Sequence, residues 1–138
     1  MQAETRADVV LDASVAHRAL LDADDAALGW IERIRSRQIR ATWPELAFIE
    51  LANALRVFVG HGGGDAARAR LVLAAAYRLP VVAAPLLLLA PRALNVAIER
   101  SLTTYDASYV VLAEQLRATL VTADRTLAAA TPNAVLLA

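Results

Sequence analysis

Apolar residues along the chain fall into short runs that alternate with longer stretches of mixed apolar and polar residues. The short runs are rich in β-branched residues and are bounded by polar or turn-forming residues, a pattern typical of buried strands. The predicted strands are Val9–Leu11, Ile39–Thr42, Val81–Ala84, Thr119–Thr122 and Val135–Leu137.

The mixed stretches between these runs predict helices, since residues that can cap a helix precede most of them. The predicted helices begin at or near Ser14, Asp22–Asp25, Pro44, Asp65, Leu86, Thr103 or Thr104, and Asp124, and they end near Leu21, Arg37, Val59, Tyr77, Ser101, Arg117 and Ala130. Pro44 suits the first turn of its helix, Pro91 is expected to start a fresh helical segment, and Gly60–Gly64 predicts a loop.

Strands that alternate with helices of this length predict an α/β fold around a parallel sheet of four to five strands. The 138 residues are enough to bury a core, so we expect a single domain over residues 1–138. Hydrophobic residues make up 58% of the chain, and this surplus of apolar surface suggests a dimer or another protein partner.

The formal net charge is +0, so the uniformly basic surface of many nucleic-acid-binding proteins is absent. RNA binding would therefore depend on local arginines and a bound metal. The arginines at positions 33, 35, 37 and 40 either complement a helix dipole or contact an RNA backbone.

All 14 basic residues are arginine, and the chain has no cysteine. The absence of lysine excludes a phosphate-binding GK[ST] loop, Schiff-base chemistry and the lysine partner of phospho-aspartate enzymes.

The polar start, MQAETRAD, gives no secretory signal. The longest apolar stretch, about Leu79–Pro91, is interrupted at Pro85 and is too short to cross a membrane. We therefore expect a cytoplasmic protein.

Four acidic residues are predicted to meet at one edge of the sheet. Asp12 ends the first strand and Asp124 follows the fourth, and ligands bind outside the carboxyl ends of parallel strands. Asp106 lies at the start of the helix that leads back to the fourth strand. Glu50 lies in the second turn of its helix, where a side chain leans toward the helix N-terminus. All four carboxylates can thus reach this edge.

Carboxylates that lie close together repel one another unless a cation balances their charge. The chain has no cysteine and only 2 histidines, so a metal site must be built from oxygen ligands. Such ligands favour Mg²⁺ or Mn²⁺ and chemistry on phosphate esters. Ser14 and Thr122 flank the acids and are predicted to position water or a carboxylate.

Four segments of this chain resemble the PIN domain family, and specifically the VapC-type ribonuclease toxins of bacterial toxin–antitoxin pairs. Each segment alone is a weak signal, but the four in this order cover nearly the whole chain. They are Val9-Val-Leu-Asp-Ala-Ser-Val15, Glu50-Leu-Ala-Asn-Ala-Leu-Arg56, Tyr105-Asp-Ala-Ser-Tyr-Val-Val-Leu-Ala-Glu114 and Leu120-Val-Thr-Ala-Asp-Arg-Thr-Leu127. The family often has a glycine shortly before the third segment, where this chain reads Ser101-Leu-Thr-Thr104.

The resemblance implies a three-layer α/β/α sandwich and a Mg²⁺- or Mn²⁺-dependent endoribonuclease. It implies an acidic metal site, with supporting polar side chains, made of Asp12, Glu50, Asp106 and Asp124 together with Ser14 and Thr122. It also implies a homodimer, an RNA substrate and a cognate antitoxin through which promoter DNA would be bound. The alternatives are a PIN-fold module that acts mainly by assembling with antitoxin and promoter DNA, and a metal-dependent DNA nuclease or phosphatase.

Overall fold

The structure is a computed structural model and describes residues 6–62 and 64–138. The start of the polar N-terminus, residues 1–5, and Gly63 of the predicted glycine loop lie outside the described residues. The strands are β1 (Ala7–Leu11), β2 (Ile39–Pro44), β3 (Val81–Ala84), β4 (Thr119–Thr122) and β5 (Ala134–Leu136). The helices are α1 (Ala13–Asp22), α2 (Asp25–Arg35), α3 (Leu46–Gly60), α4 (Ala66–Tyr77), α5 (Leu86–Arg100), α6 (Thr104–Leu116) and α7 (Arg125–Ala129).

The strands form one parallel sheet in the order β3-β2-β1-β4-β5. The chain moves outward from β1 to β3 and then returns to the other side of β1, where Leu11 pairs with Val121 of β4. The direction of winding therefore reverses between β1 and β4. A crevice forms at such a reversal, outside the carboxyl ends of the two strands.

Helices cover both faces of the sheet. Crossovers between parallel strands are right-handed, so α1 to α4 lie on one face and α5 to α7 on the other. The observed contacts agree, since α1 packs on α2 and α3 while α5 packs on α6. The central strands are buried on both faces; Val10, Leu11 and Leu120 are fully buried. The predicted three-layer fold is confirmed.

Most helix starts are where the sequence predicts them. The side chains of Asp24, Asp65 and Thr103 accept hydrogen bonds from backbone N–H groups in the first turns of α2, α4 and α6. Pro44 was predicted in the first turn of α3 and is instead the last residue of β2, paired with Ala84. A proline is tolerated there because the pairing with Ala84 uses the N–H of Glu45, which donates to the carbonyl oxygen of Ala84 at 2.9 Å, and not an N–H of residue 44.

The prediction that Pro91 starts a new helical segment is wrong. Helix α5 runs without a break from Leu86 to Arg100, with Pro91 inside it. Pro91 has no N–H to donate to the carbonyl of Leu87, one turn earlier. The side chains of Leu89 and Ala93, on either side of Pro91, are buried and hold the helix against the core despite the missing hydrogen bond.

Within the described residues, no helix combines the length and the hydropathy that a membrane span requires.

Replacement of Pro91 by alanine should raise the free energy of unfolding by about 1–3 kcal/mol, because it restores a helical hydrogen bond and removes a steric conflict. Urea unfolding followed by circular dichroism measures the change. Asn95→Ala, at an exposed position of the same helix, is the control and should gain only a few tenths of that amount. Equal gains in the two variants would show that Pro91 carries no special cost.

Candidate active site

Asp12 follows β1 directly and lies at the reversal point between β1 and β4. Its backbone N–H donates to the carbonyl oxygen of Val121 at 2.9 Å, and the residue is only 7% exposed. Its carboxylate oxygen Oδ2 accepts hydrogen bonds from the hydroxyls of Ser14 at 2.6 Å and Thr122 at 2.7 Å. Both hydroxyls donate to the same oxygen, so the protein holds Oδ2 of Asp12 more firmly than Oδ1.

The two hydroxyls connect Asp12 to the backbone that follows β4. Ser14 Oγ accepts from the N–H of Ala123 at 3.0 Å, and Thr122 Oγ1 accepts from the N–H of Asp124 at 2.9 Å. The prediction that Ser14 caps α1 is wrong, because α1 begins at Ala13 and the Ser14 hydroxyl is used between segments. Both residues are placed to orient the Asp12 carboxylate.

Glu50 lies on α3 and is half-buried. Its Oε1 accepts a hydrogen bond of 2.6 Å from the hydroxyl of Tyr109 on α6. Tyr109 is fully buried, so this bond crosses the interior from one helical layer toward the other. A carboxylate in a mostly apolar helix thus has a buried donor that holds one of its oxygens.

Asp106 and Asp124 lie at the N-termini of helices. Asp106 is in the first turn of α6, and its backbone N–H donates to the Thr103 hydroxyl at 3.0 Å. Asp124 caps α7, where its Oδ1 accepts from the N–H groups of Thr126 at 2.8 Å and Leu127 at 3.3 Å. The second oxygen of Asp124 accepts no hydrogen bond within residues 6–62 and 64–138, and the Asp106 carboxylate has only the Thr103 hydroxyl as a hydrogen-bond partner there.

The four acids line one cleft of about 500 Å³. Ser14 also lines it, whereas Thr122 is fully buried behind Asp12. The cleft wall further contains Ala13, His17, Arg18, Leu51, Ala54 and Ala123. Side chains from four separate segments of the sequence therefore share one concave surface at the carboxyl edge of the sheet.

Burial and mutual repulsion raise the pKa of three of these carboxyls. For Asp12 burial dominates, the hydrogen bonds from Ser14 and Thr122 oppose it, and the charge of Asp124 raises the pKa further. Burial also raises the pKa of Glu50, against the Tyr109 hydrogen bond, and Asp12 and Asp106 add to the increase. Burial raises the pKa of Asp106, and Asp124 and Asp12 reinforce it. The negative charges of the cleft are thus not balanced by positive charges of the protein.

The donor atoms fit a hard divalent cation, since carboxylate oxygens are the ligands that Mg²⁺ and Mn²⁺ prefer. No three acidic or histidine side chains in the described part of the chain are arranged to hold one ion together. The carboxylates therefore surround the cleft without forming a closed coordination shell. A cation that retains several water ligands, as Mg²⁺ commonly does, needs only one or two direct carboxylates.

Tyr109 is a site residue that sequence reasoning missed, because its place in an apolar helix predicts only packing. A signal was present: Tyr109 follows Asp106 by three residues, and side chains at this spacing lie on the same side of a helix. Arg18, four residues after Ser14, was missed as well; it lines the cleft, and its guanidinium donates to the carbonyl oxygen of Ala138 at 2.8 Å.

The arginine run that was considered for RNA contact lies elsewhere. Arg40 forms an ion pair of 2.9 Å with Asp8 at the start of β1, and Arg35 forms one of 3.1 Å with Glu32. These residues lie around the beginnings of β1 and β2, at the edge of the sheet opposite the acidic cleft. Their place in the fold does not support contact with RNA bound at the cleft.

A PIN domain family model matches residues 9–131. The chain belongs to the PIN domain family. A protein named VapC ribonuclease from Mycobacterium bovis is 37% identical over 116 residues, which span 84% of this chain and 85% of that protein. The predicted family is confirmed, and the matched region contains all four acids.

Solved structures with the same fold include PAE2754 from Pyrobaculum aerophilum, with a TM-score of 0.74 and 31% identity over 93% of this chain and 82% of that one. VapBC2 from Rickettsia felis, crystallised with a DNA fragment from its promoter, has a TM-score of 0.65 and 14% identity, covering 94% of this chain and 97% of that chain. At 14% identity, the second likeness shows the fold alone.

Asp106→Asn should stabilise the metal-free protein at neutral pH by about 0.5 kcal/mol, the scale of partly exposed charge interactions. The folded-state pKa of Asp106 is raised, so the ionised carboxylate favours unfolding at pH values above both pKa values. The gain should vanish as the pH falls below about 4, where both states of the wild type are protonated. Urea unfolding in EDTA across this pH range measures it.

Asp25→Asn is the matched control, since Asp25 is an exposed acid in the first turn of α2. Its loss removes only a favourable interaction with the helix dipole and should slightly destabilise the protein. If Asp106→Asn is as destabilising as Asp25→Asn, repulsion does not govern the cleft.

Proposed function

We propose that this PIN domain is a Mg²⁺- or Mn²⁺-dependent endoribonuclease that acts as the toxin of a toxin–antitoxin pair. The observation that carries the proposal is the convergence of Asp12, Glu50, Asp106 and Asp124 on one cleft. The resemblance to a protein named VapC ribonuclease, at 37% identity over 84% of the chain, supports RNA as the substrate.

The proposed ligands are carboxylate oxygens of the acids that line the cleft. Asp12, Glu50 and Asp106 would hold the cation, one or two of them directly and the rest through its water ligands, and Asp124 would complete the acidic pocket. The chemistry that a divalent cation supplies in such a site is polarisation of a phosphoryl oxygen and a bound water of lowered pKa. Hydrolysis would then cleave an RNA phosphodiester bond by in-line attack of water.

The chain's own residues orient these groups. Ser14 and Thr122 hold Oδ2 of Asp12, so the carboxylate cannot rotate freely. Arg18 lines the same cleft and places a positive charge in its wall. An arginine at this place suits a phosphate oxygen of a polyanionic substrate whose approach the acids would otherwise oppose.

A cleavage assay on single-stranded RNA tests the enzyme. Wild-type protein should cleave with Mn²⁺ or Mg²⁺ and stop in EDTA, and Asp12→Asn and Asp106→Asn should each lower the rate by about 100-fold or more, as loss of a catalytic group commonly does. Asp25→Asn, an exposed acid outside the cleft, should cleave at the wild-type rate. Cleavage that persists in EDTA or in Asp12→Asn would contradict the proposal.

The same assay separates the alternatives. Cleavage of DNA in preference to RNA would indicate a DNA nuclease, and hydrolysis of phosphate monoesters would indicate a phosphatase. Absence of any cleavage, together with tight binding to the product of a neighbouring gene, would indicate a module that acts by assembly. Growth arrest on induction, relieved by that neighbouring gene product, would support the toxin role.

We also propose that the protein forms a homodimer through α5. Leu87, Leu94 and Ile98 form a stripe along this helix and are 84%, 53% and 71% exposed. Their spacing of seven and four residues keeps them on one helical face. A contiguous apolar stripe of this kind is typical of protein contact surfaces.

The double substitution Leu87→Glu and Ile98→Glu should convert a dimer to a monomer, because each buried leucine or isoleucine contributes about 1.5–3 kcal/mol. Light scattering after size-exclusion chromatography measures the mass. Leu71→Glu on α4, at an equally exposed apolar position of 71% on the other face of the fold, is the control and should remain dimeric. A dimer that survives the double substitution would exclude α5 as the interface.

A further inference from the structure

The hydroxyl of Tyr109 lies between two parts of the acidic cleft. It donates to Oε1 of Glu50 at 2.6 Å and accepts from the backbone N–H of Ala13 at 3.4 Å. Ala13 follows Asp12 directly and is the first residue of α1. One buried hydroxyl thus joins α6, α3 and the start of α1 at the back of the cleft.

The direction of these bonds is determined by the groups involved. The N–H of Ala13 can only donate, so it takes a lone pair of the hydroxyl oxygen, and the single hydroxyl proton goes to Glu50. The N–H groups at the start of a helix lack partners within the helix, and the side chain of Asp12 gives α1 no capping hydrogen bond. Tyr109 supplies a partner from another layer of the fold.

The bond to Glu50 leaves its two carboxylate oxygens in different surroundings. Oε1 is held by Tyr109, whereas Oε2 accepts no hydrogen bond from the described residues, and the side chain lines the cleft. The arrangement is similar to that of Asp12, where the hydroxyls of Ser14 and Thr122 both hold one oxygen, Oδ2. Partners of this kind orient a metal ligand and increase metal affinity.

We infer that Tyr109 is a positioning residue that holds Glu50 so that its free oxygen faces the cation site. The inference rests on the proposed function, since it requires Glu50 to be a metal ligand. The competing explanation is that Tyr109, which is 0% exposed, serves only to fill the core. Core packing requires the aromatic ring but does not require the hydroxyl.

Tyr109→Phe separates the two accounts because it removes the hydroxyl and keeps the ring. Calorimetric titration of the protein with Mn²⁺, without RNA, should show about 10-fold to 100-fold weaker binding than wild type, the usual effect of losing such a partner. Tyr77→Phe, which removes the hydroxyl of an exposed tyrosine that stacks on Phe48, is the control and should bind as wild type does. Unchanged affinity in Tyr109→Phe would overturn the inference.

Glu50→Gln, alone and combined with Tyr109→Phe, completes the test. If Tyr109 acts through Glu50, the tyrosine substitution should cause little further loss of Mn²⁺ affinity once Glu50 is changed. If Glu50→Gln binds Mn²⁺ more weakly and Tyr109→Phe binds it normally, the role of Tyr109 is rejected but Glu50 remains a ligand. Normal binding in both variants would also reject Glu50 as a ligand, and with it that part of the proposed function.

A measurement on the wild type keeps the test independent of how well the variant folds. In protein labelled with ¹³C, the signals of the ring carbon that bears the Tyr109 hydroxyl and of the Glu50 carboxyl should shift together as Mg²⁺ is added, with a common midpoint. A Tyr109 signal that stays constant while the Glu50 signal shifts would overturn the inference.

Discussion

The Asp12 carboxylate lies almost out of water, at the point where the winding of the sheet reverses. A buried carboxylate is costly unless hydrogen bonds or a cation compensate for the lost solvation. Here the compensation from the protein is partial: two hydroxyls hold one oxygen, and burial still raises the pKa. The remaining acids surround this group and add negative charge, so the cleft as a whole favours a cation.

The groups that stabilise the fold around the cleft are the same groups that orient its acids. Asp124 caps α7 with one oxygen and lines the cleft. Thr122 donates to Asp12 and accepts from the backbone of Asp124. These shared roles restrict the acids to a few orientations, and orientation of ligands before binding reduces the entropy lost when a cation arrives. Local stability and site geometry are therefore difficult to change separately.

Much of the fold follows from local patterns, whereas the wrong or missed predictions depend on contacts with residues that are distant in the sequence. The β-branched runs predict all five strands, and chain direction at a parallel sheet brings the four acids to one edge. Pro44 and Pro91 were misplaced because proline constrains its own backbone but does not show which neighbours bury the segment. Tyr109 was missed because its partner is 59 residues away, and no sequence spacing indicates that contact. Whether the acids bind metal stays a prediction.

The distance in sequence between the halves of the site also has a consequence for synthesis of the protein. Strand β1 pairs with β4, and Asp12 takes a hydrogen bond from Thr122, 110 residues later. A chain that has left the ribosome only as far as α6 lacks β4, the Thr122 hydroxyl and Asp124. The cleft therefore cannot assemble on a partly made chain, and the proposed nuclease activity would begin only after β4 has joined the sheet.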